Sequence, residues 1–129
     1  MTTMTTPFSL RLALAEGLAD RGDHAAAATA YAELVEEATR EDMGHGTTAL
    51  RTELARAYFG SAQLGRAEAV LRELVEQAPD DGYLHLLLGR TLQRQRRHDD
   101  ARRHLALASI LGDHERPTAY GEASTRRSA

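Results

Sequence analysis

Apolar residues recur along this chain at the spacing of helical turns. Leu54 and Tyr58, for example, stand four residues apart, which places them on one face of a helix. Short polar stretches at 20–24, 60–66 and 94–100 interrupt these apolar runs. The pattern predicts an all-α protein in which helices alternate with tight connections.

The same arrangement of residues occurs three times. The second set is Leu54, Ala55, Tyr58, Ala67 and Leu71, and the third, 34 residues later, is Leu88, Gly89, Leu92, Ala101 and Leu105. The first set, 40 residues before the second, is Leu14, Ala15, Leu18, Ala27 and Tyr31. The excess of 6 residues indicates an insertion at 42–47. Residues in equivalent positions of the three units are called a column below.

Each unit is predicted to be a pair of antiparallel helices. The units are 8–41, 48–81 and 82–115, the insertion is 42–47, residues 1–7 are a disordered N-terminus, and 116–129 are a flexible tail. The second helices are predicted at 25–41, 67–78 and 101–111, and Thr47 or Thr48 is a predicted N-cap. Small residues let the helices of a unit cross closely, and they occupy two columns: Ala15, Ala55, Gly89 and Ala27, Ala67, Ala101.

These residues resemble the tetratricopeptide repeat. The likeness rests on the 34-residue period, Leu54-Ala55-x-x-Tyr58, Leu88-Gly89-x-x-Leu92, Ala67-x-x-x-Leu71 and Pro79. The column that is usually tryptophan departs from the pattern, because it holds Arg11, Arg51 and His85. The resemblance implies an α-solenoid of about six helices in antiparallel helix–turn–helix repeats. It also implies a non-catalytic scaffold or adaptor that binds a protein or peptide in a concave groove lined by the first helices.

The predicted groove consists of first-helix residues outside the core stripe. They are Glu16, Thr52, Arg56, Phe59, Tyr83, Leu86, Arg90, Gln93 and Arg94. Glu16 and the nearby Asp20 make one end acidic, and Arg56, Arg90 and Arg94 make the other end basic, so we predict an acidic segment or carboxylate terminus as ligand. The alternative is a solvated face with internal pairs such as Glu16–Arg56. A chaperone-tail clamp of the kind found in this family is not expected, because Leu12, Glu16 and Leu86 occupy its columns.

The last helix suggests a second class of function. Leu107, Ile110 and Leu111 are predicted to be partly uncovered, which favours a self-assembling structural or adaptor subunit, a homo-oligomer. The alternative is that the tail folds back through Tyr120 and covers them.

Arginine is concentrated at Arg94, Arg96, Arg97, Arg102 and Arg103. Asp99 and Asp100 stand at the spacing of helix-surface ion pairs, no aromatic residue is interleaved and the net charge is -3, so no nucleic-acid partner is expected.

The remaining composition argues against catalysis and bound cofactors. There is no cysteine, the 6 histidines include no pair at i,i+4, and no nucleophile elbow or phosphate-binding loop is present. We therefore predict no catalytic residue, no metal and no cofactor. No apolar run is long enough to span a membrane and the start carries no secretory signal, so no membrane association is expected. A cytoplasmic protein is predicted, from a GC-rich bacterium to judge by the absence of lysine.

Overall fold

A computed structural model describes residues 6–42 and 46–112, and in these ranges the regular elements are all α-helices. The first helices of the three units are α1 (Phe8–Asp20), α3 (Gly46–Gly60) and α5 (Gly82–Arg94). The second helices are α2 (His24–Arg40), α4 (Leu64–Gln77) and α6 (His98–Leu111). Each helix packs against the next along the chain. The predicted all-α, six-helix solenoid is confirmed.

One turn geometry closes all three units. The column of Gly22, Ala62 and Arg96 has positive φ, at 83°, 62° and 64°. The following amide donates to a carbonyl five residues earlier in each case: Asp23 to Leu18, Gln63 to Tyr58, and Arg97 to Leu92, at 2.9, 2.8 and 3.0 Å. A left-handed residue that ends a helix with this hydrogen bond is a common C-terminal cap. The repeat therefore extends from the apolar columns to the backbone of the turns.

The second helices α4 and α6 are longer than predicted, whereas α2 has the predicted length and is shifted by one residue. The second helices begin at His24, Leu64 and His98, whereas the sequence prediction began them at 25, 67 and 101. The alanine column used for the prediction lies about one turn inside each helix.

The N-termini of α5 and α3 differ. Asp81 caps α5, where its carboxylate accepts hydrogen bonds from the amides of Tyr83 and Leu84. The predicted cap at Thr47 or Thr48 is wrong, because α3 already begins at Gly46. Residues 43–45 of the predicted insertion, 1–5 of the predicted N-terminus and the whole predicted tail, 116–129, lie outside the described residues.

The small-residue columns allow the helices to approach closely. Ala15, Ala27, Ala55 and Ala67 are each 0% exposed. A Cβ atom at Gly89 would come within 2.6 Å of Leu105 on α6. The small residues of these columns are therefore buried where the helices cross, and the effect of a large side chain there stays a prediction.

The hydrophobic core lies largely between units. One cluster joins Tyr31 and Leu34 of α2 to Leu50 and Leu54 of α3. The other joins Leu71 and Leu74 of α4 to Leu84 and Leu88 of α5. Stacking of one unit on the next therefore buries apolar surface that a single unit would leave exposed, as expected of a solenoid.

Leu14 departs from the core prediction. Its column partners, Leu54 and Leu88, are 5% and 0% exposed, whereas Leu14 is 58% exposed. The partners are buried by the second helix of the preceding unit, and no described helix occupies that place beside α1.

A pair of histidines replaces the usual aromatic residue in the third unit. His85 is 3% exposed and its ring stacks on His104, with centroids 5.3 Å apart. The His85 Nε2–H donates to the Pro79 carbonyl at 2.8 Å, which leaves Nδ1 to accept from His104 Nδ1–H at 3.1 Å. Burial, and then the neighbouring charge of His85, lower the pKa of His104.

The histidine pair predicts a loss of stability on acidification. An unfolded histidine has a pKa of about 6.5. Because the folded pKa of His104 is lower, the unfolded chain binds a proton that the folded chain does not, and stability declines as pH falls below about 6.5 until the folded pKa is passed. Thermal melts between pH 7.5 and 5 measure this decline. His104→Gln should reduce it and His98→Gln should not; equal pH dependence in both variants would contradict the assignment.

Candidate functional site

Two of the first helices approach each other across a unit boundary. α3 lies against α5, whereas in the described ranges neither α1 and α3 nor any two second helices make a comparable contact. The side of the stack formed by the first helices, where the sequence analysis predicts the groove, is called the inner side below.

Arg94 and Phe59 are brought together at one rim of this groove. The Arg94 guanidinium lies 4.7 Å from the centre of the Phe59 ring and donates to the Phe59 carbonyl at 2.9 Å. This contact joins the end of α5 to the end of α3. Both residues are thus held in place, and Arg94 is already engaged before any ligand binds.

Arg56 is also paired within the chain, but its partner was not predicted. It forms an ion pair with Glu53 at 3.0 Å, one turn earlier on α3, instead of the suggested pair with Glu16. Glu53 was missed by the column analysis, although the i,i+3 spacing of opposite charges could have indicated it. Thr52, beside them, donates from its hydroxyl to the Thr48 carbonyl at 2.9 Å.

Arg90 differs from the other two groove arginines. It is exposed, and among the described residues it makes no hydrogen bond or ion pair. Tyr83, seven residues before Arg90 on α5, is partly buried. Burial raises the pKa of Tyr83, and the charges of Arg56 and Arg90 oppose this rise. Arg56 and Arg90 therefore both act electrostatically on Tyr83.

The remaining predicted groove residues are Leu86, Gln93 and Glu16. Leu86 is partly exposed, and Gln93 and Glu16 are exposed. At the α1 end, burial raises the pKa of Tyr31 to about 12, with the charges of Glu53 and Glu16 adding to the effect. Glu16 lies on α1 and Arg90 on α5, whereas Glu53 and Arg56 are paired on α3, so the order from acidic to basic along the groove stays a prediction.

The predicted self-association residues lie on the exposed outer part of α6. Ile110 is 78% exposed, and Leu107 and Leu111 are 38% exposed. Their columns hold acidic or amide residues on the other second helices: Glu33, Glu36 and Glu37 on α2, and Glu73, Glu76 and Gln77 on α4. Glu37 and Glu73 pair with arginines of their own units, Arg11 and Arg51, so these columns face a unit's own first helix and solvent. We call Leu107, Ile110 and Leu111 the outer patch.

The arginine cluster near the start of α6 forms ion pairs. Arg97 contacts Glu68 at 2.8 Å and Asp100 at 3.2 Å. Arg102 pairs with Asp99 at 3.1 Å, and Arg103 pairs with Asp100. Burial acts to raise the pKa of Glu68 and Asp100, but the neighbouring arginines outweigh it and lower both. The predicted ion-pair spacing is confirmed, and the arginines with these partners are partly neutralised.

The described residues contain neither a metal-binding cluster nor a membrane-spanning helix. Across 6–42 and 46–112, no group of three or more histidine, aspartate or glutamate side chains is arranged to hold a metal ion. In the same part of the chain, no helix combines the length and apolar character needed to cross a membrane.

Comparison with known protein families matches residues 18–89 to the tetratricopeptide repeat, which is more than half of the chain. The protein belongs to the tetratricopeptide repeat family. A comparison with curated proteins found no match. The match runs from the end of α1 to Gly89 on α5, so it includes both unit boundaries and most residues of the two hydrophobic clusters that span them.

Membership in the tetratricopeptide repeat family indicates a role in protein–protein interaction in general. Tetratricopeptide repeats are typically non-catalytic interaction modules.

Proposed function

We propose that this chain is a non-catalytic, cytoplasmic protein-binding module that holds an acidic peptide segment or carboxylate terminus in its inner groove. The observation that carries the proposal is Arg90. It is exposed on the inner helix α5 without a partner among the described residues, next to Tyr83 and Leu86. A free guanidinium beside partly exposed apolar side chains suits a carboxylate that is flanked by an apolar residue.

The two paired arginines support Arg90 in different ways. Arg94 is fixed against Phe59, so it presents positive charge at a set position without a large loss of side-chain entropy on binding. Arg56 holds Glu53, so a ligand carboxylate would have to share that guanidinium. Arg90 is therefore expected to contribute more to ligand affinity than Arg56.

Peptide display against the full chain tests this function, because it selects ligands from a random library. The expected sequences contain aspartate, glutamate or a free C-terminus next to an apolar residue. Titration calorimetry then compares a selected peptide with wild type and Arg90→Glu. Loss of a charge-assisted hydrogen bond weakens binding roughly ten- to a hundredfold.

Arg66→Glu is the matched control, because Arg66 is an exposed arginine on the second helix α4. It should leave peptide affinity within about twofold of wild type. Equal weakening by both substitutions would show only a general effect of net charge. Selected peptides without acidic groups, bound as well by Arg90→Glu as by wild type, would contradict the proposal.

A second candidate function is self-assembly, and the outer patch favours it. Three large aliphatic side chains stand together where the other second helices carry acidic or amide residues. Exposed apolar clusters of this kind commonly mark interfaces. Light scattering after gel filtration tests it: association that Ile110→Glu abolishes would support the outer patch as the interface, and a single chain at high concentration would contradict it.

A further inference from the structure

The uncovered face of α1 is built like the faces that other units bury. Leu10 and Leu14 are 51% and 58% exposed. Their columns hold leucine in every unit, and the inner copies, Leu50, Leu54, Leu84 and Leu88, are between 0% and 8% exposed. Those copies are covered by the second helix of the preceding unit. The face of α1 therefore has the composition of a unit boundary without the covering helix.

The other half of a unit boundary is present on α6. At the two internal boundaries the covering helix contributes Tyr31 and Leu34, or Leu71 and Leu74. The same columns on α6 hold Leu105 and Ala108, which are apolar. Leu105 stays partly exposed, and the neighbouring Ser109 is exposed. This face of α6, which consists of Leu105 and Ser109 beside the already buried Ala108, is distinct from the outer patch.

The polar contacts at the boundaries indicate which partner fits. Between the second and third units, Glu68 pairs with Arg97 at 2.8 Å. In the third unit, the residue equivalent to Glu68 is Arg102, and in the first unit the residue equivalent to Arg97 is Asp23. If the first unit of one copy followed the third unit of another, Arg102 and Asp23 would form the same ion pair with the charges exchanged. Arg102 is free to take this role, since its contact with Asp99 joins two side chains that are 73% and 96% exposed.

A second pair of columns agrees. The Arg94 side chain in the third unit lies over the Phe59 side chain in the second, with the guanidinium 4.7 Å from the ring centre. At the ends, the column of Phe59 holds Gln93 and the column of Arg94 holds Asp20. A glutamine amide can donate to an aspartate, so this contact is also compatible.

We propose that the α1 face of one copy of this chain stacks on the α6 face of a second copy, and so continues the solenoid head to tail. The proposal deepens the self-assembly candidate and rests on it, but it names a different surface from the outer patch. The contact is heterologous, with different faces meeting, so it grows into longer assemblies unless a ring closes.

Two variants that each block one end test this arrangement. Leu14→Glu places a carboxylate on the exposed α1 face, and Ser109→Glu places one on the α6 face; both sites are exposed, so the fold should be retained. The wild-type mass in sedimentation velocity should rise with concentration beyond two chains. Each variant alone should remain a single chain. An equimolar mixture should form a two-chain species and nothing larger, because Leu14→Glu keeps an intact α6 face and Ser109→Glu keeps an intact α1 face.

Ile110→Glu is the control, and it should assemble as wild type does. If Ile110→Glu abolished assembly while Leu14→Glu did not, the outer patch would be the interface and the head-to-tail contact would be overturned while self-assembly stood. A single wild-type chain at every concentration would overturn both self-assembly and the head-to-tail contact and leave groove binding unaffected. A mixture of the two end variants that stays as single chains would also overturn the head-to-tail contact.

Discussion

Replacing Leu88 by alanine is expected to lower the free energy of unfolding by about 2–5 kcal/mol. Leu88 is 0% exposed and lies between α4 and α5 in the cluster that joins the second and third units. The truncation removes apolar contact from both units and leaves a cavity that the rigid helix pairs cannot close completely. Urea unfolding followed by circular dichroism at 222 nm measures the change.

The matched control for this substitution is Leu14→Ala. Leu14 stands in the same column, but it is 58% exposed, so the same truncation should cost no more than about 1 kcal/mol in dilute protein. The two variants share residue type, helix position and chemical change, and differ in the presence of a covering helix. Equal destabilisation by the two substitutions would contradict the account of the core as a set of unit boundaries.

The second large effect is expected from the glycines. Gly89→Gln should destabilise the protein by about 1–3 kcal/mol, because even a Cβ atom at this position would come within 2.6 Å of Leu105. Gly65→Gln, in contrast, should stabilise it by about 0.5–1 kcal/mol, since Gly65 lies in helix α4 with open space around it and glutamine is the better helix former.

The two substitutions are expected to change stability in opposite directions. Thermal melts of both variants and of the wild type, run under one set of conditions, measure the two changes. Destabilisation by both substitutions would mean that helix propensity and free space do not govern Gly65. Stabilisation by Gly89→Gln would mean that α5 and α6 can separate without cost, and it would contradict the close helix crossing.

The repeat period predicted most of the architecture. The columns of Leu54 and Ala67 recur with enough regularity to define helix pairs, and the buried small residues follow from them. The starts of the second helices were predicted less well. The polar residues near His98, for example, are compatible both with a connecting turn and with the first turn of a helix. The exposure of Leu14 could not be read from its column, since burial there depends on a neighbouring unit.

The groove was predicted by position but not by pairing. Column analysis places Arg56 and Arg94 on the inner helices, yet it does not reveal that one holds Glu53 and the other holds Phe59. Such pairings depend on side-chain conformation and on the distance between α3 and α5. These pairings leave Arg90 as the groove arginine without a partner among the described residues.

The central claim is that the inner groove is the surface that binds a partner, and amide chemical shifts measured during titration with a display-selected peptide test it most directly. The account predicts the largest shifts on α3 and α5, around Arg56, Tyr83 and Arg90, with small shifts on the second helices. Large shifts confined to α2, α4 and α6 would place the ligand on the outer side of the stack and contradict the claim.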